Sequence, residues 1–235
     1  MGNKSLVLLV ASIALVDFVC GQSYCDISSC GNNKRAHTLC RFNPNVVSKK
    51  CTDKGDYGGG LSQAEKDVLL NKHNELRDYV AQGSERRGAP GPQPAAKNMQ
   101  RMVWDNELEK IAQTWANQCS FEHDTCRNVG RFSVGQNIYQ AGTSGDPRSI
   151  NVVQAVDSWY KEVMYFDRND VRQFRDVNSR NGKVIGHYTQ VVWADSNRLG
   201  CGSRNYNDGK WKWKYIVCNY GPTGNWIRQS VYQPR

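Results

Sequence analysis

Three stretches of the chain repeat apolar residues every three or four positions, as helices that bury one face do. The first follows Ser62-Gln63-Ala64-Glu65, a capping box that satisfies free backbone donors in a first helical turn. It predicts a helix from Ser62 to about Ala81 with Leu69, His73, Leu76 and Val80 on its inner face. The second stretch comprises Leu108, Ile111, Ala112, Trp115, Ala116 and Cys119, and the third comprises Val152, Val156, Trp159 and Val163. We therefore expect three helices.

The spacing of apolar residues along the chain changes after the third predicted helix. Strands are predicted over Val184–Trp193, Leu199–Asn205 and Lys210–Tyr220. Asn207-Asp208-Gly209 lies between the last two and is a strong hairpin signal, which places Cys201 and Cys218 roughly opposite each other. Helices followed by an antiparallel sheet predict an α+β fold with helices on both faces of the sheet.

The N-terminal segment has the layout of a secretory signal peptide. Lys4 precedes an apolar run from Leu6 to Val16, and small residues lead to Gly21, after which we expect cleavage. An uncleaved anchor, the alternative, would need a longer apolar run of roughly 20 residues, and no later stretch is that long. The sequence thus predicts a secreted protein without a transmembrane segment, in which residues 1–21 are the signal peptide.

Cleavage removes Cys20 and leaves an even set of eight cysteines, as an oxidising compartment favours. Four disulfides are expected, although spacing alone leaves 105 pairings open. No two cysteines form a C-x-x-C pair, so a zinc finger is disfavoured. Residues 22–60 hold four of the eight in a polar stretch without a helical or strand period, which predicts a disulfide-stapled irregular arm before a domain at 61–235.

The chain is basic, with a formal net charge of +9. Such a balance suits anionic surfaces or nucleic acid, but its lysines and arginines are scattered and no DNA- or RNA-reading motif accompanies them. We therefore interpret the charge as a solvated basic surface and expect no nucleic-acid partner.

Two C-terminal segments identify a family. Residues 186–193, GHYTQVVW, and 215–226, YIVCNYGPTGNW, closely resemble the two signature motifs of CAP proteins, which include cysteine-rich secretory proteins, insect antigen 5 and plant pathogenesis-related proteins. Within that superfamily, residues 87–99, 115–119 and 123–126 are most similar to hymenopteran venom antigen 5. The resemblance covers essentially the whole mature chain.

The resemblance implies an α-β-α sandwich with an antiparallel central sheet, in a monomer with an N-terminal arm. It also implies the disulfides Cys25–Cys40, Cys30–Cys126, Cys51–Cys119 and Cys201–Cys218. A venom protein that antibodies recognise as an allergen is the corresponding expectation for its role.

The resemblance further implies a cleft tetrad of two histidines and two acids, which maps to His73, Gln136, Glu162 and His187. The first helix carries His73 in its apolar stripe, Glu162 lies on a largely apolar face, and His187 starts a predicted strand. Histidine and carboxylate side chains suit a divalent metal such as zinc, whereas the structural alternative is hydrogen-bonded core residues. At Gln136 many relatives have glutamate, and an uncharged amide weakens both metal binding and general-base chemistry.

We therefore expect a secreted, non-enzymatic protein that requires no cofactor and binds a host component or a small lipid or sterol. Tryptophans could line a lipid groove, but Trp104, Trp115, Trp159 and Trp193 all fall on apolar periodicities and suit a core equally well. The alternative is a metal-dependent hydrolase in which His73, Glu162 and His187 position an activated water. Neither an H-E-x-x-H helix nor a G-x-S-x-G elbow supports it.

Overall fold

The computed structural model describes residues 23–31 and 35–235. The predicted signal peptide lies outside the described residues. The helices are α1 (Thr38–Arg41), α2 (Lys49–Thr52), α3 (Gln63–Ala81), α4 (Asn106–Ala116), α5 (Val153–Lys161) and α6 (Gly186–Val191). The strands are β1 (Asp56–Gly59), β2 (Val103–Trp104), β3 (Gly135–Thr143), β4 (Arg198–Asn207) and β5 (Lys212–Gly221).

The three helices predicted from apolar periodicity are confirmed as α3, α4 and α5. Ser62 caps α3, and both hydrogen bonds of the predicted capping box with Glu65 are present. Asp105 caps α4 by accepting from two backbone N–H groups of the first turn. The last of the three, α5, ends at Lys161 and continues as a short 3-10 helix over Glu162–Tyr165.

The strand predicted over Val184–Trp193 is wrong, because this segment forms α6. Tyr188, Thr189, Gln190 and Val191 are all buried, so no exposed face reveals the helical period. The N-cap position, Ile185, supplies no side-chain cap. Instead, a carboxylate oxygen of Glu162 accepts the backbone N–H groups of His187 and Tyr188 at 3.0 and 3.2 Å. A cap from 25 residues earlier leaves no local signal in the sequence.

One sheet contains all five strands, in the order β1-β4-β5-β3, with β2 beside β4. The pairs β1–β4, β4–β5 and β3–β5 are antiparallel, whereas the two-residue β2 runs parallel to β4. The predicted hairpin is confirmed, and Cys201 pairs directly with Cys218 across it. The strand pattern of the sequence predicts none of β1, β2 and β3, and β1 shows that the arm is not wholly irregular, since it extends the sheet.

Helices cover both faces of the sheet, which makes the fold an α-β-α sandwich. Along β5, Ile216, Cys218 and Tyr220 pack into the core that contains the inner faces of α3 and α5. The alternate residues Tyr215 and Val217 pack against α4 instead.

Close packing of α4 on β4 depends on two glycines. A Cβ atom at Gly200 would lie 2.2 Å from the backbone nitrogen of Glu109, and one at Gly202 would lie 2.4 Å from the Cα of Gln113. Neither distance is compatible with a side chain, so these positions set how closely helix and strand approach.

The described residues contain four disulfides, in the pairing that the resemblance implies. Cys30–Cys126 and Cys51–Cys119 attach the arm to the main domain, over sequence separations of 96 and 68 residues. Within the part of the chain that the structure describes, no helix has the length and apolarity that a membrane crossing requires.

Candidate functional site

Glu162 and His187, two residues of the predicted tetrad, contact each other directly. Glu162 lies just after α5 and His187 lies in the first turn of α6. The Nδ1 atom of His187 is 2.7 Å from one carboxylate oxygen of Glu162, while the other oxygen accepts the two backbone N–H groups at the start of α6. Both carboxylate oxygens are therefore engaged, and the imidazole is held in one orientation.

The structure does not bring His73 to this pair. Its side chain is fully buried in α3, where Nδ1 donates to the carbonyl oxygen of Leu69 at 2.8 Å. Nε2 then accepts from the hydroxyl of Tyr220 at 2.9 Å. The indole of Trp159 contacts both rings, with centroids 6.3 Å from His73 and 6.5 Å from His187. Burial lowers the pKa of His73 to about 4, so the ring is neutral at ordinary pH.

The histidine that does lie at the cleft is His123, which is not one of the predicted site residues. Its Nδ1 atom is 2.8 Å from the amide oxygen of Gln136. Withdrawal from water lowers the pKa of His123, the hydrogen bond with Gln136 opposes that effect, and the charges of Arg127 and His187 lower it further. The last contribution places His123 within electrostatic reach of His187. We call His123, Gln136, Glu162 and His187 the cleft residues.

Gln136 is fixed by its other contacts. Its amide nitrogen donates to a carboxylate oxygen of Asp124 and to the amide oxygen of Asn219, both at 3.1 Å. The amide oxygen of Gln136 is therefore the atom that faces His123. The neighbouring residue of β3, Asn137, donates to the main-chain oxygen of His187 at 3.2 Å, which ties the strand to α6.

The predicted metal ligands do not form a complete site. Both ring nitrogens of His73 are used inside the core, and Gln136 contributes an amide. Among residues 23–31 and 35–235, no group of three or more histidine, cysteine or acidic side chains is arranged to hold a metal ion. Of the predicted tetrad, Gln136, Glu162 and His187 lie at the cleft, whereas His73 is hydrogen-bonded inside the core.

A separate cavity of about 520 Å³ lies between α3 and α5. Its lining is mixed, with polar and charged groups beside apolar surface, and comprises Glu75, Leu76, Asp78, Tyr79, Gln82, Arg87 and Tyr160. Of the four tryptophans considered for a lipid groove, Trp115, Trp159 and Trp193 are buried and Trp104 packs partly buried against the core.

Comparison with known proteins gives this geometry a context. The model of the cysteine-rich secretory protein family, CAP, matches residues 70–220. The chain belongs to this family.

Two similar relatives come from hymenopteran insects. Venom allergen 3 homolog of Dinoponera quadriceps is 45% identical over 211 residues, 90% of this chain and 89% of the relative. Venom allergen 5 of Vespula maculifrons is 41% identical over an alignment of 237 positions that covers 100% of both chains.

Solved structures of the family show the same fold. BmVAL-1 superimposes with a TM-score of 0.66 at 26% identity, over 77% of this chain and 87% of that one. A crystal structure of NaASP2 with Zn2+ superimposes with a TM-score of 0.63 at 31% identity, over 77% of this chain and 91% of that one.

Proposed function

We propose that this protein is a secreted, non-enzymatic venom protein of the antigen 5 type, which acts on a host by binding and is an allergen there. The signal-like N-terminus and the venom allergens among its relatives support the extracellular and allergenic parts of the proposal. The non-enzymatic part of the proposal rests on one observation, the hydrogen bonding of the Glu162 carboxylate. Its two carboxylate oxygens accept three hydrogen bonds, from the imidazole of His187 and from two backbone N–H groups.

A hydrolase on this cleft needs a base that can take a proton from water or from a nucleophile. Glu162 is committed to holding α6 and His187, and Gln136 cannot accept a proton near neutral pH. Nε2 of His187 is available as a base, but among the described residues no serine, threonine or cysteine side chain is hydrogen-bonded to His187 or His123 as a nucleophile. The hydrolase alternative that uses His73, Glu162 and His187 has an additional difficulty, since His73 is in the core. These contacts favour recognition over turnover.

Turnover assays test this proposal. We expect purified protein to hydrolyse peptide, ester and phospholipid substrates no faster than buffer does, with or without added zinc. The control is a Glu162→Gln, His187→Ala double variant in the same preparation, because a contaminating hydrolase would survive both changes. Activity that disappears in this variant, while its circular dichroism stays native, would contradict the proposal.

Zinc binding by His123 and His187 is a second proposal for the cleft. Histidines that bind metals usually donate their other ring N–H to an oxygen atom, which fixes the ring. Here Nδ1 of His187 faces Glu162 at 2.7 Å and Nδ1 of His123 faces Gln136 at 2.8 Å, which leaves Nε2 of each ring for a metal. With only two protein ligands, water would complete the coordination, so we expect weak binding. The Zn2+ in the NaASP2 structure supports this proposal by similarity.

Calorimetric zinc titration separates this pair from the tetrad predicted from sequence. We expect binding to be lost in His123→Ala and in His187→Ala, and to weaken at acidic pH, because a protonated imidazole has no lone pair for a metal. Gln136→Glu should strengthen binding, because a carboxylate raises the basicity of the histidine that it contacts. The matched control is His73→Gln, which should bind zinc like the wild type. Loss of binding in His73→Gln alone would reject the assignment.

A small lipid or sterol remains a predicted ligand, and we assign it to the cavity between α3 and α5. Leu76, Tyr79 and Tyr160 give this cavity apolar surface, and Arg87, which is paired with Glu85, adds a polar group to its lining. Mass spectrometry of molecules retained by native protein tests the assignment. A lipid that is retained by the wild type and lost in Leu76→Asp would support it, whereas equal retention by both would contradict it.

A further inference from the structure

The tip of the β4–β5 hairpin presents an aromatic side chain among lysines, at Lys210-Trp211-Lys212-Trp213-Lys214. The inner two residues of this alternating run, Trp213 and Lys214, make contacts within the fold. Lys214 is buried and pairs with Glu65 at 3.3 Å. Trp213 packs its ring against Gly142 of β3. Lys210, Trp211 and Lys212 therefore remain at the tip, where 50% of the surface of Trp211 is exposed.

Asp208 fixes the shape of this tip. One of its carboxylate oxygens accepts the backbone N–H groups of Lys210 and Trp211, each at 2.8 Å. The other accepts the indole N–H of Trp213 at 2.8 Å. These bonds lower the pKa of Asp208 to about 2, so the acid stays charged and directs its charge into the turn. These hydrogen bonds hold the turn that carries Trp211 in one conformation.

Two residues from the arm, Lys54 and Tyr57, contact other residues of this tip. The Nζ atom of Lys54 donates to the main-chain oxygen of Asp208 at 2.9 Å. The Nζ atom of Lys212 lies 5.7 Å from the ring centroid of Tyr57, in β1. We call Lys54, Tyr57, Lys210, Trp211 and Lys212 the tip patch.

Two arginines near the patch are ion-paired. Arg148 forms an ion pair with Asp146 beside the patch, and Arg204 forms one with Asp56. Three lysines thus lie on the same hairpin end as Trp211, while the carboxylate of Asp208 is engaged by N–H groups of the turn. The tip patch is positive and aromatic.

We propose that the tip patch docks this protein onto the surface of an anionic lipid bilayer, with Trp211 at the level of the headgroups. Tryptophan favours the membrane interface because its ring is apolar and its N–H is polar. Lysines near the surface are attracted by anionic headgroups, and the net charge of +9 adds a long-range attraction of the same sign.

The size of the patch favours a bilayer over a protein partner. A stable protein interface buries at least roughly 1,200 Å² in total, which needs a broad surface on each side. The tip patch offers one exposed tryptophan, a partly buried tyrosine and three lysines on a hairpin end. A projecting tip of this kind can enter the headgroup layer without a matching groove.

Vesicle flotation with the purified protein tests the proposal, with vesicles of phosphatidylcholine alone and of phosphatidylcholine with 30% phosphatidylserine as probes. We expect binding only to the phosphatidylserine vesicles and weakening as salt is raised. Trp211→Ala should reduce it severalfold, and Lys210→Ala and Lys212→Ala should each reduce it about fivefold. The matched controls are Trp226→Ala, which removes a 47% exposed tryptophan elsewhere, and the exposed Lys161→Ala and Lys183→Ala.

The controls distinguish a docking site from general charge attraction. Wild-type binding by all three control variants, with native circular dichroism in every protein, would support the proposal. Equal losses in the control and tip variants would overturn it, as would absence of binding to phosphatidylserine vesicles. Retention on heparin that depends on Trp211, without vesicle binding, would also overturn it and assign the patch to a sulfated polysaccharide.

Discussion

The guanidinium group of Arg77 in α3 donates to the main-chain oxygen of Val191 at 2.9 Å, at the last residue of α6. The same group donates to the oxygens of Trp193 and Ala194 at 2.8 and 3.0 Å, and its Nε atom donates to Gln100 at 2.7 Å. The side chain is fully buried, and burial lowers its pKa to about 9. Arg77 at one end and Glu162 at the other thus hold the short helix that carries His187.

Arg77→Met should lower the free energy of unfolding by about 3 kcal/mol or more, because it leaves several buried carbonyl oxygens without donors. Urea denaturation followed by circular dichroism measures the change. Arg101→Met is the matched control, since Arg101 is exposed and pairs only with Asp78 at the surface, and it should cost less than about 1 kcal/mol. Equal destabilisation by the two variants would contradict the role assigned to Arg77.

The contrast between α3 and α6 explains how much of the fold could be predicted. The sequence of α3 contains its own cap, Ser62 with Glu65, and an apolar face, so local rules suffice. In α6 the capping groups, Glu162 and Arg77, come from other helices, and burial on all sides hides the period. The strand β3 was missed for a related reason, because its polar and glycine-rich sequence has no apolar alternation and its pairing with β5 supplies the order.

The cleft was predicted in part. Glu162 and His187 belong to the tetrad that the family resemblance implies, their positions are also unusual on apolar patterns, and they do contact each other. His73 is anomalous for another reason, since its hydrogen bonds to Leu69 and Tyr220 satisfy it inside the core. His123 lies in a polar loop, so no apolar pattern marks it as unusual. Its contact with Gln136 in the structure identifies it as a cleft residue.

Stability should fall as the pH is lowered below about 6.5. The pKa of His73 is depressed to about 4, so its contribution is complete above the unfolded value of 6.5 and is lost as the pH falls toward the folded one. His37 contributes in the same direction. Glu65 and Glu85 have depressed pKa values too, but their contributions are lost only below the ordinary value of 4.5. The histidines therefore dominate between pH 6.5 and 4.5.

Urea denaturation at pH 7.5 and pH 5 measures this effect. A single histidine with the properties of His73 should cost about 2 kcal/mol over that interval. His73→Gln should therefore show a clearly shallower pH dependence, whatever its absolute stability. An unchanged pH dependence in His73→Gln would refute the buried, neutral state of this ring.

Gly202→Ala should destabilise the protein by about 1–3 kcal/mol, because the added methyl group would collide with the backbone of Gln113 in α4. Thermal unfolding measures the change. Gly145→Ala is the matched control, since the nearest atom to its added carbon is the Thr143 hydroxyl at 3.5 Å, and its stability should stay near that of the wild type. A Gly202→Ala protein as stable as this control would show that α4 can move away from the sheet.

The most direct test of the cleft is an NMR titration of the histidine side chains with zinc, read from two-bond correlations between ring carbon-bound protons and nitrogens. Without metal, we predict that His73 stays neutral with its proton on Nδ1 and does not titrate above about pH 5. On addition of zinc at pH 7.5, the Nε2 resonances of His123 and His187 should shift together while those of His73 do not move. A shift of the His73 resonances with zinc, with His123 unchanged, would contradict the account.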